Sequence, residues 1–163
     1  MLEKLILCIQ MLILWLSRIP DGVIALLARF SIAGIFWRSG QTKVEGFSLD
    51  IMAAEFQLGW PRLSASVVDL FRYEYQLPWV SPELAALMAA IAEHLFPALI
   101  LIGLATRFSA LALLGMTLVI QVLVYPDAYP THGVWAVALL FLASRGPGPL
   151  ALDHLIASLC GRR

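Results

Sequence analysis

The stretch that decides the fold runs from residue 84 to residue 105 and reads LAALMAAIAEHLFPALILIGLA. A helix needs about 20 predominantly apolar residues to cross the hydrocarbon core of a bilayer, and this stretch meets that length. Ser81 and Pro82 stand just before it, and proline is favoured at the first position of a helix. The pattern predicts a membrane-spanning helix over residues 83–105.

Composition extends this interpretation to the rest of the chain. Of the 163 residues, 61% are hydrophobic and 13% are charged, whereas a soluble domain is roughly half apolar and a quarter charged. The excess apolar surface must face something other than water, so we predict an integral membrane protein in contact with the lipid bilayer. The formal net charge is zero, which gives no electrostatic basis for binding nucleic acid.

The whole chain is predicted to form one all-α membrane domain, residues 1–163, built on a bundle of four transmembrane helices. The other three spans fall at about 21–38, 108–125 and 130–144, with Gly40 as the stop of the first. A short interfacial helix, Leu5–Leu16, precedes them. An amphipathic tail follows them, with one apolar side made of Leu152, Leu155, Ile156 and Leu159.

Residues 41–81 form an insert that is too polar to span a membrane and too aromatic for a plain linker. Ile51–Leu58 and Leu63–Tyr75 mix apolar and polar positions, which predicts one or two helices lying on the surface. Connections longer than about 12 to 15 residues are usually functional or disordered, and the aromatic content favours order. We therefore predict an ordered external helical insert, whose aromatic residues are Trp60, Phe71, Tyr73, Tyr75 and Trp79.

The orientation follows from the positions of lysine and arginine, which are enriched on the cytoplasmic side. An even number of spans puts both termini on one side. That side would carry Lys4, Arg18, Arg107, Arg145, Arg162 and Arg163, and the other would carry Arg38, Lys43, Arg62 and Arg72. We predict a multi-pass protein of the bacterial inner (plasma) membrane with both termini cytoplasmic and the insert outside.

Three ionisable residues are predicted to lie inside the spans. Arg29 falls in the middle of the first span, and Glu93 and His94 fall in the middle of the second. A charge at that depth costs at least about 2.5 kcal/mol on insertion scales. We therefore expect Arg29 and Glu93 to face each other, and all three residues are candidates for a catalytic role. A buried ion pair with no chemistry is the structural alternative.

Pro97 marks the same region of the second span. A proline inside a helix removes the hydrogen bond to the carbonyl four residues earlier, which here belongs to Glu93. Irregular backbone is tolerated in a membrane where it is buried or lines a cavity. The sequence therefore predicts a small polar pocket at the depth of Glu93.

His94 suits proton exchange near neutral pH, but it is equally open to a role as a haem or metal ligand or as a packed polar residue. The other histidines, His132 and His154, fall at the ends of spans and do not match its depth, so haem and metal sites are disfavoured. Cys8 and Cys160 form no CxxC pair, which disfavours thiol redox chemistry. The chain carries no fingerprint of an autonomous enzyme.

A second polar cluster is predicted at the outer boundary of the membrane. One interpretation is an aromatic belt with interfacial cations. The other is a binding site for a flat amphipathic ligand such as a quinone head group, with aromatic walls around the ring and Lys43, Arg38 or His132 reaching its oxygens. The cluster consists of Trp37, Arg38, Lys43, Tyr125, Tyr129, His132 and Trp135.

Several of these residues lie in segments that resemble the DoxX family of small bacterial membrane proteins. The segments around the first span are Ala28–Phe30, Ile35–Phe36 and Ser39–Lys43. The others are Glu93 with Gly103–Arg107, the short third span, and Arg145–Pro149 followed by Leu152–Asp153. Together they cover most of the chain outside residues 46–80. The insert and the segment from Tyr125 to Gly133 are similar to a subgroup encoded beside peptide-modification and metal-stress genes.

The resemblance implies a four-helix inner-membrane fold and an association with redox chemistry. Related subunits serve thiosulfate:quinone oxidoreduction, and others partner oxidative-stress enzymes. On that analogy Arg29, Lys43 and Glu93 are the polar positions of the family. The expected function is a subunit of a quinone-linked redox or oxidative- or metal-stress system. The alternatives are a non-catalytic membrane partner that docks a periplasmic protein or peptide, and a small transporter; a second copy of the chain is a further candidate partner.

Overall fold

The computed structural model describes residues 1–50 and 54–161. Within these residues the chain forms seven α-helices and two β-strands. The helices before the hairpin are α1 (Leu2–Leu16) and α2 (Asp21–Gln41), and the hairpin strands are β1 (Val44–Asp50) and β2 (Glu55–Leu63). The later helices are α3 (Ala65–Leu70), α4 (Pro82–Ile102), α5 (Thr106–Val119), α6 (Tyr129–Arg145) and α7 (Leu152–Leu159).

Four helices pack around one core. Helix α2 contacts α4, α4 contacts α5, α5 contacts α6, and α6 returns to α2, so neighbours in the ring are mostly neighbours in the chain. Small residues on α2 and α5 allow close approach of the helices, and larger apolar side chains fill the centre. The fully buried members include Ala25, Ile32, Phe36, Ile100, Ala110, Leu113, Leu139 and Leu142.

Three of the described helical segments are long and apolar enough to cross a membrane: α2, α4, and the 19-residue segment Thr106–Val124, in which a π-helical turn continues α5. They correspond to the first three predicted spans within three residues at each end. Helix α6 has 17 residues, close to the predicted 130–144. At 1.5 Å per residue it is about 25 Å long. The start of α4 is as predicted, since Pro82 opens the helix and the Ser81 hydroxyl accepts the Leu84 N–H.

The first half of the insert is an antiparallel hairpin, so the prediction of an entirely helical insert is wrong. Strand β1 pairs with β2 through Phe47 opposite Leu58 and Leu49 opposite Phe56, with an irregularity between Glu45 and Phe47. The apolar residues at 47, 49, 56 and 58 alternate with polar ones. That two-residue period is typical of a strand with one apolar face.

The second half of the insert is helical, as predicted. Helix α3 continues into a π-helical turn, Phe71–Tyr75. Val67 and Phe71 are buried against Ala85 and Ala86 in the first turns of α4, which orders this part of the insert. Of the predicted helix at Ile51–Leu58, residues 51–53 lie outside the described part of the chain.

The first and last helices flank the bundle. Every residue of α1 is exposed, and its apolar side chains face outward on all sides. Helix α7 forms where the amphipathic tail is predicted, with Leu152, Leu155 and Ile156 exposed. In a bundle that crosses a membrane, these surfaces are suited to contact with lipid.

Candidate functional site

Lys43 and Glu93 form a buried ion pair. The Lys43 Nζ atom donates to Glu93 Oε2 at 2.6 Å, and the two side chains are 10% and 5% exposed. The same Nζ donates to the hydroxyl of Ser39 at 3.1 Å and to its carbonyl at 3.4 Å. An ammonium group has three N–H donors, so the contacts engage all of them. Removal of either partner would leave the other charge buried.

Arg29 is also buried, but the predicted pairing of Arg29 with Glu93 is wrong. Its guanidinium group binds backbone carbonyl oxygens near the other end of α4 and in the segment after α6. The acceptors are Ile100 O at 2.9 Å, Leu101 O at 2.5 Å, Pro147 O at 3.2 Å and Leu150 O at 2.6 Å. These contacts place the middle of α2 beside the last turn of α4. The two helices are therefore offset along their axes.

Gly40 sets that offset. A Cβ atom at this position would lie 2.9 Å from the His94 ring and 3.0 Å from the Glu93 carbonyl oxygen, so only glycine allows α2 to approach so closely. The predicted role of Gly40 as a helix stop is wrong, since α2 continues to Gln41. The carbonyl that Pro97 leaves without its helical donor is the one against which Gly40 packs.

His94 connects α4 to the hairpin through hydrogen bonds. Its Nδ1 atom lies 2.7 Å from Ala90 O, and because a carbonyl oxygen only accepts, Nδ1 carries the proton. The Gln41 Oε1 atom accepts the Leu49 N–H at 2.6 Å, which places the amide nitrogen of Gln41 2.8 Å from His94 Nε2. That nitrogen donates, so His94 Nε2 accepts. The pattern fits a neutral imidazole with its proton on Nδ1.

Trp37 also binds Leu49 of the hairpin, through the backbone carbonyl. Its indole N–H donates to Leu49 O at 2.9 Å, so α2 side chains satisfy both backbone groups of Leu49 on the edge of β1. The Trp37 ring stands edge-on to His94, with 5.2 Å between ring centroids, and the Phe47 ring is 6.4 Å from it. The hairpin, α2 and α4 thus meet at His94.

A cleft of about 740 Å³ opens between the hairpin and α4. Its walls are mainly apolar, which differs from the small polar pocket that Pro97 predicts. His94, Trp37 and the exposed Arg62 are the side chains that carry polar atoms on its lining. The apolar lining includes Val44, Phe47 and Leu63 from the hairpin side and Leu87, Ile91 and Leu95 from α4.

The residues of the predicted outer cluster have different surroundings in the structure. Trp37 lines the cleft, whereas Lys43 is buried behind it against Glu93. Arg38 lies 3.8 Å from Asp50. Tyr129 is exposed.

The remaining members pack elsewhere in the bundle. His132 is buried, its Nδ1 lies 2.7 Å from Gln121 Oε1, and its ring is 5.0 Å from that of Trp135. The Tyr125 hydroxyl donates to Glu74, and its ring is 5.7 Å from Tyr75.

The Tyr125 contacts tie the insert to the end of α5. Burial raises the pKa of the Tyr75 phenol above its ordinary value of 10.0, as expected for a hydroxyl held among aromatic rings.

Within residues 1–50 and 54–161, no group of three or more His, Cys, Asp or Glu side chains comes together to hold a metal ion.

Gln41 and Ser39 belong to this site and were not singled out from the sequence. Both lie in the last turn of α2 on the side that faces α4, where Gln41 binds His94 and Ser39 binds Lys43. For Ser39 the available signal was its spacing from Lys43, since the two residues are four apart and share a side of the chain as it leaves the helix.

At the other end of the bundle, Asp153 caps α5 from a distance in the chain. Its carboxylate accepts the N–H groups of Ala105 at 2.8 Å and Thr106 at 2.9 Å, and its own N–H donates to Gly103 O at 2.8 Å. Gly103 has a φ of 73°, in the left-handed region that favours glycine. Together with the carbonyl contacts of Arg29, this network closes that end of the bundle.

These features define a helical membrane protein with a mainly apolar cleft of about 740 Å³ close to a buried ion pair. The chain belongs to the DoxX family, whose model matches residues 24–126, a range that includes the hairpin, Lys43 and Glu93. An uncharacterized protein of Haemophilus influenzae (strain ATCC 51907 / DSM 11121 / KW20 / Rd) is 30% identical over 146 residues, which cover 85% of this chain and 86% of that protein. No solved structure matches the chain.

Proposed function

We propose that this chain is an inner-membrane subunit of a quinone-linked redox or oxidative- or metal-stress system, and that the cleft binds the ring of a quinone-type ligand. The cleft between the hairpin and α4 carries the proposal, because it combines about 740 Å³ of mainly apolar space with aromatic walls and one imidazole. Sites for small organic ligands are typically apolar, of roughly 300 to 1,000 Å³, and carry few polar groups.

Membership of the DoxX family supports a membrane location, and the proposal extends it to four spans with α6 as the last. The basic residues support cytoplasmic termini. Arg107 donates to carbonyls at the end of α6, and Arg145 lies 3.9 Å from Asp21 at the start of α2. These arginines therefore gather at one end of the bundle, together with Arg18, as expected of a cytoplasmic end.

Reporter fusions test this orientation. A cytoplasmic reporter fused after Arg163 should be active, and a periplasmic reporter inserted near Trp79, which is 96% exposed, should also be active. The opposite result at both positions would place the hairpin and the cleft on the cytoplasmic side and contradict the proposed arrangement.

Ligand binding is tested with a short-chain alkyl benzoquinone and the full-length protein in lipid nanodiscs. Ile91 lines the cleft and is 53% exposed, so Ile91→Phe should narrow the cleft without disturbing the core. Met88 lies on the same helix, is 58% exposed and is not among the lining residues, so Met88→Phe is the matched control. Equilibrium dialysis should show saturable binding to wild type and Met88→Phe and clearly weaker binding to Ile91→Phe, because the larger ring takes space next to the ligand. Equal binding to both variants would show that the ligand does not bind in the cleft.

A second candidate is a non-catalytic partner that docks a periplasmic protein or peptide through the hairpin. The observation in its favour is the exposure of large apolar side chains on β2, with Leu58 and Trp60 both 83% exposed. A photo-crosslinking residue at position 60 should then give one discrete protein adduct in cells. Absence of quinone binding by wild type together with such an adduct would favour docking. Transport of a small solute stays a third hypothesis.

A further inference from the structure

The polar atoms of the cleft bear on which redox form of a ring ligand it takes. This inference rests on the proposed function, because it concerns the same cleft. Lys43 gives all three of its N–H donors to Glu93 and Ser39, and the Trp37 N–H is given to Leu49 O. Neither side chain offers the ligand a free donor.

His94 presents an acceptor. Its Nδ1 proton is committed to Ala90 O at 2.7 Å, and in a neutral imidazole the other nitrogen has a lone pair and no proton. The Gln41 amide nitrogen, 2.8 Å away, donates to that lone pair. Gln41 cannot reverse its amide without loss, because its oxygen accepts the Leu49 N–H at 2.6 Å.

We propose that the cleft selects a ring carrying a hydroxyl, the dihydroxy form of a quinone-type ligand or a related phenol, which donates its O–H to His94 Nε2 in place of the Gln41 amide. A quinone carbonyl or an ether oxygen only accepts, so at this position it would face the lone pair of the imidazole. Arg62, exposed on the cleft lining, has N–H donors for a second oxygen of the ring.

The test uses two probes that differ by one donor: 2,3,5-trimethylphenol and 2,3,5-trimethylanisole. Both are apolar aromatic rings of similar size, neither needs a redox partner, and only the phenol can donate. A net neutral hydrogen bond contributes about 0.5 to 1.5 kcal/mol, a factor of roughly three to ten. In wild type the phenol displaces the Gln41 amide from His94 Nε2, so its preference over the anisole in nanodiscs should lie at the lower end of this range, at about threefold. Equilibrium dialysis at neutral pH measures both affinities.

Two variants locate the origin of the preference. His94→Phe keeps an aromatic ring in the wall but removes the acceptor, so the ratio of the two affinities should fall to about one by this argument. Gln41→Leu removes the competing amide and leaves Nε2 free, so the preference for the phenol should persist or increase. A preference that came from the Gln41 amide would instead disappear in Gln41→Leu. Circular dichroism and thermal unfolding verify that each variant is folded.

The outcomes separate this inference from the proposed function. Equal binding of phenol and anisole by wild type, with saturable binding of the benzoquinone, would overturn the donor preference and leave the cleft as a ring-binding site. Tighter binding of the anisole would overturn it too. If wild type binds none of the three probes (the phenol, the anisole and the benzoquinone), the proposed function and the inference are both overturned.

Discussion

Arg29 and Lys43 are both buried cations in one bundle, but they are held in different ways. Arg29 donates to four backbone carbonyl oxygens drawn from the end of α4 and the segment after α6. Lys43 binds a carboxylate and the two oxygens of Ser39, and the cleft lies close by, lined by His94, the residue next to Glu93 in the chain.

This difference between the acceptors of Arg29 and Lys43 indicates which end of the bundle is suited to a ligand. Backbone carbonyls cannot change their charge, so the contacts of Arg29 join the end of α4 to the segment after α6. A lysine–carboxylate pair has two ionisable partners, and here it lies next to an imidazole on the wall of a cleft. Perturbed or paired ionisable groups beside a cleft are candidates for a functional site. This contrast supports the proposal that a ligand binds at the Lys43 end, in the cleft lined by His94, and that Arg29 has a structural role.

The largest expected effect comes from Arg29→Met. It removes four hydrogen bonds donated by a buried guanidinium group, and hydrogen bonds that involve a charged group contribute about 1.5 to 3 kcal/mol each, so we expect the free energy of unfolding to fall by about 5 kcal/mol or more. Arg29→Lys should recover part of this, since an ammonium has three donors for four acceptors. Reversible unfolding in mixed detergent micelles, followed by tryptophan fluorescence, measures the change.

The same experiment tests whether the two ends are independent. The losses caused by Arg29→Met and Glu93→Gln should add within about 0.5 kcal/mol in the double variant, as for residues that share no partner. A strong departure from additivity would mean that Arg29 and Glu93 are coupled, and the contrast between the two ends would fail.

The next largest effect is expected at the ion pair. Glu93→Gln leaves the Lys43 ammonium buried without its carboxylate, which should cost about 3 to 5 kcal/mol. Lys43→Met combined with Glu93→Gln removes both charges, so the double variant should be at least about 2 kcal/mol more stable than the sum of the single losses predicts. Strict additivity of the two changes in the unfolding measurement would show that the pair contributes nothing.

A smaller effect is expected from Asp153→Ala at the Arg29 end. It removes the acceptor for two N–H groups in the first turn of α5, and loss of such a cap costs about 0.5 to 2 kcal/mol. The matched control is Ser81→Ala, which removes a local cap from α4, where the contact is longer at 3.3 Å. We expect Asp153→Ala to lower the thermal midpoint more than Ser81→Ala. The reverse order would show that the distant cap is dispensable.

The sequence predicted the helices well because their signals are local. Length, apolar content and the Ser81–Pro82 start are properties of consecutive residues, and they placed α4 correctly. The burial of Glu93 followed from its position inside that helix, and Glu93 is 4% exposed. Family membership was predicted from short segments and is confirmed by the match to residues 24–126.

The partner of Glu93 could not be predicted in the same way. Residue counts along each helix give the relative depth of two side chains only when the helices begin and end at the same levels. Contact of Gly40 with His94 shifts α2 along α4, and a close approach of two helices depends on packing that residue counts do not contain. Lys43 lies beyond the helix and was assigned to the membrane boundary, but the chain turns back there, with its N–H donating to Gly40 O at 2.9 Å.

The hairpin was missed for a different reason. Alternating residues at Phe56, Leu58 and Trp60 carry the signal of a strand, but the polar content of residues 41–81 favoured a surface helix. Two-stranded hairpins have little stability alone, so the hairpin depends on α2 to satisfy the edge of β1. That dependence is tertiary, and it rests on Trp37 and Gln41 binding Leu49.

The smallest expected effect is a local one at the Lys43 end. Trp37→Phe keeps an aromatic ring beside His94 but removes the N–H that binds Leu49 O at 2.9 Å. Leu49 is partly exposed, so water can replace the lost donor, and the free energy of unfolding should fall by only about 0.5 kcal/mol. The hairpin should nevertheless open more often, because one of its attachments to α2 is gone. Hydrogen–deuterium exchange over residues 44–50 should quicken about two- to fivefold, the change that a loss of about 0.5 to 1 kcal/mol gives. Exchange in α2 and α4 should not change, and Trp79→Phe, at a position that is 96% exposed, is the control. If exchange in β1 stays at the wild-type rate, the indole does not hold the hairpin, and the Lys43 end is as rigidly closed as the Arg29 end.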